Sequence, residues 1–140
     1  MDYLTWRDSF SVKIEKFDLQ HQQLFGILNN LLNAIKLNKG IDTLKRILND
    51  LKVYAIVHFE EEERYLQVNN FPDYYNQKKE HEYFIKQVQK FIQELDQGKD
   101  SLTTEVSTFL NSWIKNHICI EDKKYSLYLV DNKAEVLKNV

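Results

Sequence analysis

Leu44-Lys45-Arg46-Ile47-Leu48-Asn49-Asp50-Leu51-Lys52-Val53-Tyr54-Ala55-Ile56-Val57-His58-Phe59-Glu60-Glu61-Glu62 is the stretch on which the reading of the fold turns. Leu44, Ile47, Leu48, Leu51, Tyr54 and Ala55 recur three and four apart, which is the spacing of one face of an α-helix. His58 continues that stripe, and Glu62 and Leu66 extend it. An apolar helix face therefore ends in an imidazole and a carboxylate one turn apart. An ionised glutamate on an inward face is costly unless it is paired or bound to metal. Glu60 and Glu61 rotate away from His58 and read as a solvated acidic face; Glu63 fits either reading.

The same periodicity recurs on both sides of this segment, predicting helices over about 18–37, 42–68, 73–95 and 101–121. Leu24, Phe25, Leu28, Leu31, Leu32 and Ile35 form the first stripe, behind Asp18 as its N-cap. Gly40 suits the left-handed turn that closes this helix, and Asp42 suits the cap of the next. Phe71-Pro72 separates the second helix from the third, because proline disfavours helix in the residue before it. The third stripe runs through Tyr74, Gln77, His81, Phe84, Ile85, Val88, Phe91, Ile92 and Leu95. Ser101 suits the cap of the fourth helix, which carries Leu102, Val106, Phe109, Leu110, Trp113, Ile114 and His117. Residues 1–17 read as an extended arm packed on the bundle, and 132–138 suit a short terminal helix. Short loops make sequential helices antiparallel, so the expected class is all-α, an up-down-up-down four-helix bundle in one domain.

Composition agrees. The chain has 140 residues, 43% of them hydrophobic, with only three glycines and one proline, too few turn residues for a sheet-rich fold. With 19 basic and 21 acidic side chains the net charge is −2, and no basic stripe points to nucleic acid. No apolar run reaches the roughly 20 residues that span a bilayer, and the N-terminus lacks a signal-peptide pattern. The expectation is a soluble cytoplasmic protein. The single cysteine, Cys119, makes neither an internal disulfide nor a thiolate cage.

The chemistry lies in the histidines. There are four, His21, His58, His81 and His117, one on each predicted helix and each on or beside its apolar stripe. A single histidine in such a place is ordinarily a satisfied core residue. Four, with none left over, read as a cluster. Asp122 follows His117 by five residues, which is about 500° of regular helix; for both to reach one metal the helix must end, tighten or bulge between them. Imidazoles with two carboxylates suit first-row metals such as iron, zinc or manganese, and a carboxylate can bridge two ions. There is no His-Glu-x-x-His, no pair of Glu-x-x-His motifs, and no nucleophile or phosphate-loop motif.

Asp18-Leu19-Gln20-His21-Gln22-Gln23-Leu24, His58-Phe59-x-x-Glu62-Glu63, Phe71-Pro72 with His81-x-x-Phe84, and His117-Ile118-x-x-x-Asp122-x-x-Tyr125 together resemble the hemerythrin family, its bacterial members in particular. The resemblance covers nearly the whole chain, and Trp6 with the following arm also fits. It implies two iron ions with a bridging oxo or hydroxo group. His21 and His58 would hold the iron that accepts dioxygen, His81 and His117 the other, with Glu62 and Asp122 bridging. Leu28, Tyr65, Leu66 and Trp113 would line the oxygen pocket. The chain departs from the family at one position: where the third helix usually carries a second histidine, it has Gln77. Its carbonyl oxygen would be a weaker, harder ligand, or the position would be left to water or an exogenous ligand. The implied function is dioxygen binding for storage, delivery or sensing. The alternatives are a di-iron enzyme reducing peroxide or nitric oxide, and a metal-poor bundle acting through partners.

Overall fold

The computed structural model describes residues 3–99 and 103–130. A 3₁₀ turn at Asp8–Phe10 precedes α1 (Glu15–Lys36), α2 (Ile41–Val68), α3 (Tyr74–Asp96) and α4 (Thr103–Asn116). The fourth helical column then runs through a π turn at His117–Glu121, α5 (Asp122–Tyr125) and a second π turn at Ser126–Val130. Helix α1 packs on α2 and α4, and α2 packs on α3. The result is the four-helix bundle, with the fourth column longer than its apolar periodicity predicts. The cap expected at Ser101 and the short helix expected over 132–138 lie outside the described residues.

The first three helices end alike. Asn38, Asn70 and Gly98 adopt φ of 51°, 55° and 81°, and each leads a chain reversal closed by paired backbone hydrogen bonds. Lys39 N–H donates to Ala34 O and Asn38 N–H to Ile35 O; Phe71 donates to Leu66 and Asn70 to Gln67; Lys99 donates to Glu94 and Gly98 to Leu95. This is the Schellman closure. It corrects the expectation for Gly40, which is instead the N-cap of α2, at φ 94°. Asparagine, whose short side chain tolerates the left-handed region, does the work assigned to glycine.

The arm is also revised. Helix α1 begins at Glu15, with Ile14 as its N-cap and no side-chain cap bond. Asp18 is not the cap but sits in the first turn. Its carboxylate reaches back to accept the Val12 N–H at 2.8 Å and the Ser11 hydroxyl. Lys13, at φ 63°, makes the bend that permits this. Upstream, Leu4 and the Asn29 side chain exchange two 2.7 Å hydrogen bonds, and Trp6, Phe10 and Phe25 meet edge to face.

Two apolar clusters fill the bundle. The larger holds Leu24, Leu28, Leu48, Ala55, Phe59, Phe84, Leu110 and Ile118 among others. The smaller holds Val12, Phe17, Leu66, Phe71, Tyr125 and Leu129. Along α1, His21 lies between Phe17 of the small cluster and Leu24 of the large one. Glu62 lies between Phe59 and Leu66 in the same way, and Asp122 between Ile118 and Tyr125. A polar layer is thus enclosed by hydrocarbon at both ends. Among the described residues no helix is long and apolar enough to cross a membrane.

Candidate metal centre

Each column of the bundle contributes to this layer. α1 supplies His21; α2 supplies His58 and Glu62, one turn apart; α3 supplies Gln77 and His81, also one turn apart. The fourth column supplies His117 and Asp122 across the π turn. A π turn spends an extra residue, closing i to i+5 rather than i to i+4. That residue brings Asp122 back over His117, and His117 Nε2 lies 3.1 Å from Asp122 Oδ1. The bulge is the device that the five-residue spacing requires. All seven side chains are buried, His21, Glu62 and Asp122 completely.

The atoms sort into two groups. His21 Nε2 faces Asp122 Oδ2 at 3.2 Å and Glu62 Oε2 at 3.4 Å, and His58 Nε2 faces Glu62 Oε2 at 3.4 Å. On the other side, His81 Nε2 faces Glu62 Oε1 at 3.0 Å, and His117 Nε2 faces Asp122 Oδ1 at 3.1 Å and Glu62 Oε1 at 4.0 Å. Each carboxylate therefore divides its oxygens between the two histidine pairs. His21, His58 and Glu62 on one side, and Glu62, His81 and His117 on the other, each offer ligand atoms within 4.8 Å of one another.

The outer nitrogens show what the inner ones must do. His81 Nδ1 lies 2.8 Å from Glu63 Oε2, His117 Nδ1 lies 3.1 Å from Glu80 Oε2, and His58 Nδ1 meets the Gln20 carbonyl. These partners only accept, so each Nδ1 carries its proton and donates it. In the neutral rings that leaves Nε2 as a bare lone pair. His81 Nε2 and His117 Nε2 stand 3.0 Å apart, beside two carboxylate oxygens. Both Asp122 oxygens, Glu62 Oε1 and His21 Nε2 lack any hydrogen-bond partner. So many converging lone pairs suit a bound cation, and imidazole with carboxylate is a donor set of first-row metals. Outer partners that fix the tautomer and ring orientation are the usual support of such ligands.

Proton affinities follow. Burial alone would depress His21, but the adjacent Asp122 and Glu62 carboxylates outweigh it and raise it to about 9. His117, also opposed by burial, is carried well above the ordinary imidazole range by Asp122, Glu62 and Glu80. His81 is raised against its burial by Glu62 and Glu63. Burial would raise Glu62, but His58, His117 and His21 hold it well below the usual carboxylate range. Asp122 is lowered likewise, against burial and the charge of Glu62, by His117 and His21. Only one proton fits between the facing Nε2 atoms of His81 and His117, although the carboxylates draw a proton to both. A metal ion satisfies both rings where a proton satisfies one.

Around the layer, Phe59 stacks on His81 at 3.9 Å and 3°, and Trp113 stacks on His117 at 4.4 Å and 13°. Leu28 and Leu66 are fully buried, and Tyr65 meets Phe17 edge-on. The Tyr125 hydroxyl donates to Glu62 Oε2 at 2.9 Å. Gln77 donates its amide N–H to the backbone carbonyl of Glu121 at 3.2 Å, while its own carbonyl oxygen is buried without a hydrogen-bond partner.

Sequence reasoning undervalued four of these residues. Glu80 rotates off the inward face of α3, yet from that flank it reaches the ring on the neighbouring column. Glu63 does the same from α2. Gln20 and Phe59 adjoin ligand positions in the chain, and that adjacency was the available signal.

Comparison with known proteins agrees with this geometry. The profile of the Hemerythrin HHE cation binding domain matches residues 12–128. The bacteriohemerythrin of Clostridium acetobutylicum is 37% identical over 124 residues, covering 86% of this chain and 96% of that protein. The bacteriohemerythrin of Stenotrophomonas maltophilia is 28% identical over 126 residues, covering 90% and 81%. The crystal structure of wild-type hemerythrin superposes with a TM-score of 0.81 at 24% identity, over 89% of this chain and 96% of that one; it speaks for the fold.

Proposed function

This chain belongs to the hemerythrin family, the di-iron oxygen-binding bundles, and from that premise we propose that it binds dioxygen at two iron ions held by its own polar layer. His21 and His58 would hold one iron and His81 and His117 the other, with Glu62 and Asp122 shared between them and a solvent-derived oxo or hydroxo bridge completing the pair. Bound iron supplies the electrons that reduce dioxygen reversibly. The protein's part is to fix the ligands and to keep bulk water from the layer with Phe59, Phe84, Leu28, Leu66 and Trp113.

One observation carries the reading: the oxygens of Glu62 and Asp122 divide between two separate histidine pairs. A single-metal site has no use for that division. The reading includes a cytoplasmic setting, a reducing compartment in which ferrous iron is available and Cys119 stays a thiol.

Iron analysis after anaerobic reconstitution, followed by exposure to air, is the test. Two irons per chain with an absorption band that appears with oxygen and disappears on its removal is the expected result. A count near one, or near zero, overturns it. Reduction of peroxide or nitric oxide at the same centre is a second reading. Gln77 favours it, because one fewer imidazole weakens nitrogen donation on one side. Steady consumption of peroxide without a stable oxygen-dependent band would establish it.

A further inference from the structure

We propose that Gln77 is itself a metal ligand through Oε1, and that it makes the two metal positions unlike, so that the His81/His117 position exchanges its iron for manganese(II). This rests on the two-metal reading above and deepens it.

The side chain is only 1% exposed. Its amide orientation is fixed, because the Glu121 carbonyl can only accept and must face the N–H end. Oε1 is therefore turned the other way, and it is buried with no hydrogen-bond partner. A buried orphan carbonyl is unfavourable unless something answers it. Gln77 sits one turn before His81, on the same face of α3, so what answers it belongs to the His81 side of the layer.

Counting donors gives the consequence. The His21/His58 position has two imidazoles and one oxygen from each carboxylate. The His81/His117 position has the same set plus an amide oxygen. Divalent affinity rises from manganese to iron, but imidazole favours iron whereas carboxylate and carbonyl oxygens suit manganese. The oxygen-rich position is the one where iron's advantage is narrowest.

The same amide does a second job. Its N–H holds the carbonyl of Glu121, the residue just before Asp122, so one side chain ties α3 to the turn that presents a shared carboxylate.

The test loads the full chain anaerobically with iron(II), challenges it with excess manganese(II), removes free metal and counts both metals. Low-temperature electron paramagnetic resonance reads the manganese. The wild type should exchange one iron and retain manganese in its place. Gln77→His should keep both irons, with exchange slowed by about tenfold or more. Gln77→Leu should lose one iron without retaining manganese. Gln77→Glu keeps an oxygen donor but no N–H, so it should hold manganese more firmly if the oxygen is a ligand. If the amide served only to tie the helices, Gln77→Glu would behave like Gln77→Leu, and the proposal would be overturned. Equal exchange in wild type, Gln77→His and Gln77→Leu, with helicity intact by circular dichroism, would also overturn it. A wild type that never binds two irons would instead overturn the two-metal reading, and this proposal with it.

Discussion

The phenol of Tyr125 donates a 2.9 Å hydrogen bond to Oε2 of Glu62, and both residues are fully buried. Burial and the nearby carboxylates raise the phenol well above its ordinary proton affinity, so it remains a donor at any physiological pH. Tyr125→Phe removes the donor and keeps the ring. A hydrogen bond to a charged group is worth about 1.5–3 kcal/mol. Thermal unfolding should show a loss of that size, about 3–15 °C for a domain of this length. An unchanged midpoint would mean that Glu62 does not depend on this bond.

Sharing of the carboxylates separates two kinds of ligand loss. Asp122→Asn or Glu62→Gln disturbs both histidine pairs, so iron content should fall below about one per chain. His81→Ala disturbs one pair and should leave close to one iron. Equal losses in all three variants would argue against two distinguishable positions.

Glu80 lies 3.1 Å from the outer nitrogen of His117 and is only partly buried. Glu80→Gln retains the shape but not the charge. Supporting contacts of this kind are worth about 10–100-fold in metal affinity. Competition with a chelator should show that loss, with little change in unfolding temperature. Full affinity would reduce Glu80 to a surface residue.

Uptake of metal should release protons. His21 holds its proton up to about 9, and its Nε2 faces both carboxylates. A metal taking that nitrogen must displace the proton, which is bound below this value and absent above it. Apparent affinity should therefore rise with pH, by up to about tenfold per unit for each proton displaced, and level off above it. An indicator dye in weak buffer near neutral pH reads the release directly. No release on loading would mean that His21 is not a ligand.

Asp18 fastens the arm by accepting from Val12 and Ser11. Asp18→Ala should cost about 1–2 kcal/mol and expose Val12, now fully buried. Limited proteolysis should then cut within the first 14 residues faster than in the wild type. Equal cutting rates would show that the aromatic contacts of Trp6 suffice.

His58 and Glu62 were legible because a regular helix places i and i+4 on one face, and the apolar stripe says which face is inward. The bundle followed from four such stripes. Asp122 was legible only as a condition, that the helix deform, since hydrogen-bond slippage leaves no mark in periodicity. Asp18 was misread because an aspartate at a helix start serves equally as cap or as clasp for the residues before it. Glu63 and Glu80 were obscured for another reason. A helix wheel judges a side chain by its own helix, whereas these two act on rings carried by other columns.

The π turn at His117–Glu121 also fixes an angle. Wound as a regular helix, the same five-residue step would carry Asp122 about 100° around the column axis from its present place, taking Tyr125 with it. One further residue inserted in the turn would displace them by as much. Elsewhere, in the turns at Asn38 and Gly98, the chain can gain or lose a residue at the surface. Here the winding is part of the site: with five residues from His117 to Asp122, the π turn is as much a requirement as the histidine and aspartate that bound it.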